Sequence, residues 1–168
     1  LIESAQETLL KAGISEIVIV LGAYRDQIQP FILKHKNIRV VYNKYYNFGQ
    51  THSFKIGLGN IHDDTKCIML LPIDYPFIKH KTFVTLKEYY QKESPRILIP
   101  SFNDRKGHPP LFDLSLKDDF FALKNTDGLN QVARKNKEDI VLLPVEDPGV
   151  IKTFNTKEEL KKLELENF

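Results

Sequence analysis

The sequence predicts an α/β domain of three layers, a mainly parallel sheet with helices on both faces, and three observations lead there. Short aliphatic and β-branched runs alternate with stretches of helical spacing, an order that requires right-handed crossovers. The run Lys66 to Ile73 (KCIMLLPI) carries almost no polar atoms, so it reads as a central strand covered on both faces. Hydrophobic residues make up 42% and charged residues 27% of 168, the balance of one domain with a sizeable core. Residues 1–168 are read as that single domain, since no linker, repeat or low-complexity tract interrupts them.

The elements follow in order. Ile2, Ala5, Leu9 and Leu10 fall on one side of a helix, and Gly13 stands where a left-handed cap would end it. Glu16 to Leu21 (EIVIVL) is a β-branched strand that leaves through Gly22. Tyr24 to Lys34 has helical spacing, with Pro30 against it. Ile38 to Tyr42 reads as a strand, Thr51 to Leu58 as a short helix, Thr82 to Gln91 as a helix and Arg96 to Pro100 as a strand. Ser101 to Pro110 is polar and loop-like. Helices are expected over Leu114 to Leu123 and Asp127 to Lys135, a strand over Asp139 to Val145, and a closing helix over Thr156 to Leu163.

Composition narrows the function. The net charge is +2 with no dense block of Lys and Arg, so no nucleic-acid partner is expected. No apolar stretch approaches the length of a membrane span. The single cysteine, Cys67, lies in an apolar run and has no partner within the chain, which fits a reducing cytoplasm. The chain opens on Leu1 inside a helical pattern, so further natural sequence is expected before it.

Candidate chemistry gathers where strands end. Asp74 closes the apolar run and is the first residue there free to meet solvent, the position at which open sheets bind ligands. Capping of the Tyr75-Pro76 turn explains the same carboxylate. The segment Asn43 to Ser53 (NKYYNFGQTHS) leads into a helix. Gly49 would permit close backbone approach, and Thr51 or Ser53 would supply hydroxyls at a helix start suited to an anion. Lys106, Gly107 and His108 precede Pro109-Pro110 and would meet an anion through a side chain and backbone N–H groups. Thr156 with Glu159 makes a capping box, which leaves Asn155 unexplained. His52, His80 and Cys67 lack zinc spacing, Ser53 lacks a nucleophile elbow, and no Gly-rich phosphate loop occurs. Oxygen ligands from Asp74 and Asn155 would favour magnesium.

These segments, in this order, resemble the MobA-like nucleotidyltransferases, most closely the molybdenum-cofactor cytidylyltransferase branch. Asn43 with Asn47-Phe48-Gly49 and Ser53-Phe54-Lys55-Ile56-Gly57-Leu58 is similar to that family's N-x-x-x-x-x-G and S-L-R-x-G-L. Ile73-Asp74-Tyr75-Pro76 resembles its G-D-x-P, Arg105 to Pro109 its R-x-G-H-P, and Asn155 to Leu160 its closing [DN]-T-P-E-[DE]-L. The resemblance implies a Rossmann-like fold of the nucleotide-diphospho-sugar transferase kind. It also implies transfer of a nucleoside monophosphate, CMP from CTP, to a phosphorylated small molecule such as molybdopterin. Asp74 would bind Mg²⁺ with Asn155 as a second ligand. Asn47, Gly49 and Ser53 would lie toward nucleotide or acceptor, and Lys106, Gly107 and His108 toward the acceptor. A molybdoenzyme would be the delivery partner.

The family's phosphate-binding signature, which precedes the first helix, does not occur in these residues. The expectation is therefore a domain without its first strand and phosphate loop, with little transfer activity on its own. Ile73, Lys55, Thr126 and Asn130 also depart from the family pattern. Two other classes remain: a non-catalytic relative that binds a nucleotide or a partner, and a generic doubly wound domain of the response-regulator type.

Overall fold

The computed structural model describes residues 1–166 as a mixed sheet flanked by helices. Helix α1 (Ile2–Lys11) ends through Gly13 at φ 69°, the left-handed cap its sequence predicts. Strand β1 (Ile17–Leu21) pairs in parallel with β2 (Ile38–Tyr42), Ile17 opposite Ile38 and Leu21 opposite Tyr42. Between them the expected long helix is only α2 (Arg25–Ile28) and a 3₁₀ turn, Gln29–Phe31. Pro30 sits inside that turn, where it cannot carry an α-helical hydrogen bond onward.

Helix α3 (Gln50–Leu58) returns across β1 to β3 (Cys67–Met69). Here the expectation is corrected. The ladder of β3 spans three residues, pairs with one neighbour only, and is partly rather than fully buried. The central strand is instead β4 (Ile97–Phe102), which follows α4 (His80–Glu93). Along β4, Ile97 and Ile99 enter one core, with Phe112 and Phe120, while Leu98 enters another on the opposite face, with Leu86 and Leu111. Two-sided burial explains its unbroken apolar sequence, and each fully buried aliphatic side chain contributes about 2 kcal/mol.

The sheet is mixed because the segment read as a loop carries strands. β4 turns through Asn103 and Asp104, both at positive φ, into β5 (Arg105–Lys106). Such residues tolerate the left-handed conformation a tight hairpin needs. β6 (Leu111–Asp113) then inserts antiparallel between β3 and β4. Only β7 (Ile140–Pro144) runs parallel to β4. Among the described residues the β1–β2 pair shares no ladder with this five-stranded sheet. Helices α5 (Lys117–Ala122) and α6 (Asn130–Lys135) cover one face through Phe120 and Val132, and α7 (Lys157–Glu166) closes the described chain. No helix among the described residues is long and apolar enough to cross a membrane.

Two groups near β3 report their surroundings. Burial, then the charge of Asp113, pushes the Cys67 thiol up to about 11, which keeps it protonated as a packing group. Burial would raise Asp113, but hydrogen bonds from Ser115 and Tyr90, with the Arg96 charge, outweigh it and hold the carboxyl below 3.8. A depressed folded value means that Asp113 contributes stability at neutral pH. That contribution is lost as pH falls from 3.8 through the lower folded value. In urea titrations at pH 7 and pH 3, Asp113→Asn should therefore lose less stability on acidification than the parent. An equal loss in both would show that Asp113 does not carry this dependence.

Candidate functional site

Strand β3 stops at Met69 because its partner strand is short; the Leu70 N–H still reaches the Pro110 carbonyl at 3.0 Å. Pro72 then ends regular pairing, and the Tyr75 N–H returns to the Pro72 carbonyl at 3.3 Å, a turn that carries Asp74 at its bend. The Thr153 hydroxyl donates to Asp74 Oδ2 at 2.9 Å, across 79 residues of sequence. Beside it the Tyr75 ring stacks on the His108 imidazole, centroids 4.1 Å apart and planes 28° apart. Burial pushes the imidazole below its ordinary value, with the Asp74 charge opposing, so His108 is neutral near pH 7. Burial and then Asp74 raise the Tyr75 phenol.

Three segments meet here, and a buried clamp holds them. Asp147, 3% exposed, accepts hydrogen bonds from the Lys79 N–H at 2.8 Å, the Thr82 hydroxyl at 2.6 Å and the Gly149 N–H at 2.9 Å. Gly149 lies so close to the Phe77 carbonyl that an added Cβ would meet it at 2.2 Å. The His108 N–H bonds the Val150 carbonyl at 2.7 Å, and a Cβ on Gly107 would strike that same oxygen at 2.6 Å. Gly107 is therefore a packing requirement, and Gly107→Ala should cost about 2 kcal/mol through overpacking. Chemical denaturation checks this; an unchanged midpoint would contradict the close approach.

The segment from Asn43 to Ser53 forms a second locus. Asn43 is buried, donates to Ser53 Oγ at 2.9 Å and accepts from the Tyr45 N–H at 2.9 Å. Gly49 adopts φ 94°, a conformation that favours glycine, and begins α3. Neither hydroxyl caps that helix. Ser53 Oγ donates to the Gly49 carbonyl at 3.3 Å, and Thr51 Oγ1 donates to the Asp127 carbonyl at 2.5 Å. Asn47 is exposed in the turn between them. At the carboxyl ends of β1 and β2 the same segment borders a cleft of about 360 Å³ whose lining includes Tyr24, Arg25, Tyr42, Lys44 and Tyr46. Tyr46 closes against Gly22, where a Cβ would meet Tyr46 Cβ at 2.5 Å. Arg25 lies over the Tyr42 ring at 5.4 Å.

Asp74 and His108 are thus brought together, with Gly107 behind them. Lys106 is exposed on β5, opposite Ser101. Thr156 Oγ1 accepts the Glu159 N–H at 3.1 Å, the cap half of the expected box, while Glu159 Oε2 accepts the Asn155 N–H at 2.6 Å rather than that of Thr156. Thr153, not Asn155, makes the hydrogen bond to Asp74. Sequence reasoning missed Thr153 and Asp147 as functional neighbours because both act across long sequence separations. It also passed over Tyr24 and Tyr42, which bore no motif.

The donor set at Asp74 suits a hard cation. Its carboxylate is the charged oxygen ligand, with the Thr153 hydroxyl bound to it and the His108 imidazole nearby, and no group of three or more His, Cys, Asp or Glu among the described residues could hold a metal alone. Such a site fits magnesium or manganese, which keep waters and share their coordination with substrate phosphates, and does not fit structural zinc.

Residues 1–140 match the MobA-like NTP transferase domain. The chain belongs to that family. It is 26% identical over 181 residues to nicotine blue oxidoreductase of Paenarthrobacter nicotinovorans, covering 97% of this chain and 82% of that protein. Rv0371c of Mycobacterium tuberculosis superposes with a TM-score of 0.79 at 17% identity, over 95% of this chain and 81% of that one. The same mycobacterial protein has been crystallised with manganese. A nucleotidyl transferase of Methanothermobacter thermautotrophicus gives 0.78 at 19% identity, over 96% and 77% of the two chains. These likenesses establish the nucleotidyltransferase fold, and the family places the chain among nucleotidyltransferases.

Proposed function

We propose that this protein transfers a nucleoside monophosphate, CMP from CTP, to a phosphorylated small molecule such as molybdopterin, in the cytoplasm and with Mg²⁺. The observation that carries the reading is Asp74 at the strand end, held by Thr153 and flanked by the Tyr75–His108 stack. A phosphate oxygen of the acceptor attacks the α-phosphorus, the bond to the β-phosphate breaks, and pyrophosphate leaves. No protein nucleophile is needed, only in-line positioning and compensation of charge. Asp74, with Asn155 as a second oxygen donor, would hold the cation. The cation, when bound, supplies charge neutralisation along the phosphates.

The remaining residues bind and orient. The cleft at the ends of β1 and β2 presents aromatic faces, Lys44, and Arg25 paired with Asp26 at 3.2 Å, a lining suited to stacking a base beside a cation. Asn43 is fixed by its own hydrogen bonds and holds Ser53 and the turn bearing Asn47 and Gly49 beside that cleft. On the acceptor side, neutral His108 would offer a hydrogen bond without adding charge. Lys106, at the rim, would meet the acceptor phosphate. The curated relative is named as an oxidoreductase, so the transfer reading rests on this site and on the family.

Calorimetry with CTP, GTP and ATP, each with and without Mg²⁺, tests the proposal. Metal-dependent binding of one nucleotide, CTP first, is the expected result. Metal-independent binding, or none, would favour a non-catalytic relative that binds a nucleotide or a partner.

A further inference from the structure

We propose that Thr153 is a positioning residue for Asp74: its hydroxyl holds Oδ2 and leaves Oδ1 as the oxygen that ligates a divalent cation. The inference rests on the metal-binding reading of Asp74. Thr153 Oγ1 donates to Oδ2 at 2.9 Å, which leaves Oδ1 outside that hydrogen bond. Ligating carboxylates are commonly oriented by such outer hydrogen bonds, and their loss weakens metal binding by about 10- to 100-fold.

Where the two partners sit separates this role from plain cross-linking. The segment bearing Thr153 is already fixed to the Asp74 loop by the buried clamp of Asp147 and by Gly149 against Phe77. The Thr153–Asp74 bond is exposed, where water competes for both groups, so it adds little to holding the segments together. What it does determine is the rotation of one carboxylate. Without it, Asp74 would sample several orientations at a strand end that has left its ladder.

Binding of Mn²⁺ alone, followed by electron paramagnetic resonance, tests the role with Thr153→Val, Thr153→Ser and Asp74→Ala beside the parent. The parent should bind. Thr153→Val should bind about 10-fold more weakly with an unchanged thermal midpoint, and Thr153→Ser should restore the parent affinity. Asp74→Ala should lose the site. Parent-like binding by Asp74→Ala, or no binding by the parent, would remove the metal reading itself. Loss in Asp74→Ala with parent-like binding in Thr153→Val would overturn the positioning role alone. So would a drop in thermal midpoint that accounts for the weaker binding, because Thr153 would then be a structural link.

Discussion

Replacement of Asp74 by Ala should abolish metal-dependent nucleotide binding and reduce transfer by about 10³-fold, with the fold intact. The magnitude follows from the several kcal/mol of charge stabilisation that a bound cation supplies, each 1.36 kcal/mol being about tenfold in rate. The fold should survive because Asp74 is at a bend outside the β3 ladder and its side-chain bond to Thr153 is exposed. Asp74→Asn keeps the size and the acceptor oxygen but removes the charge, so it should behave much like the alanine variant. Calorimetry with CTP and Mg²⁺, paired with circular dichroism, reads both effects. Retention of metal-dependent binding in Asp74→Ala would refute the assignment.

The second large effect is structural. Asp147→Ala should destabilise the protein by about 4 kcal/mol. The buried carboxylate accepts three hydrogen bonds, and bonds to a charged acceptor contribute about 1.5–3 kcal/mol each. Its removal strands the Gly149 N–H and the Thr82 hydroxyl away from water and frees the part-buried Lys79 N–H. Because those groups anchor the Asp74 loop to the segment carrying Thr153, metal binding should also weaken at temperatures where the variant remains folded. Urea denaturation measures the first effect and Mn²⁺ titration the second. A loss below about 1 kcal/mol would mean that the clamp is redundant.

The two variants divide the site by function. In the proposed reading Asp74 would meet the ligand and contribute little to folding, whereas the buried Asp147 holds the frame. The oxygen donors are few, as expected of a centre whose cation is shared with phosphates. The aromatic cleft at the ends of β1 and β2 would give the proposed nucleotide side a shape of its own.

Much of this was legible in the residues. Asp74, Gly107 and His108 were singled out from a strand end and a GHPP segment, and they meet in space. The left-handed Gly13 and the Thr156 cap on the Glu159 N–H also follow from local chemistry, because each depends on residues within one turn. Other features were not legible. Leu111 to Asp113 is a strand of three residues, too short for period-two alternation to register, and it converts the expected mainly parallel sheet into a mixed one. Its insertion beside β4 moves the centre of the sheet away from β3. Thr51 and Ser53 looked like helix caps because of their place before apolar residues, yet the Thr51 hydroxyl goes to the distant Asp127 carbonyl and the Ser53 hydroxyl turns back to the Gly49 carbonyl of its own helix start.

The sequence by itself determined the layered α/β class, the family, and the carboxylate on which the chemistry would turn. These depend on apolar periodicity and on short motifs, which are local. Only the tertiary structure decided which strand is central, that Thr153 grips Asp74, and that Asp147 ties its own segment to the start of α4. Those contacts join residues 65 to 79 positions apart, and no local pattern encodes which distant hydroxyl will complete a given carboxylate.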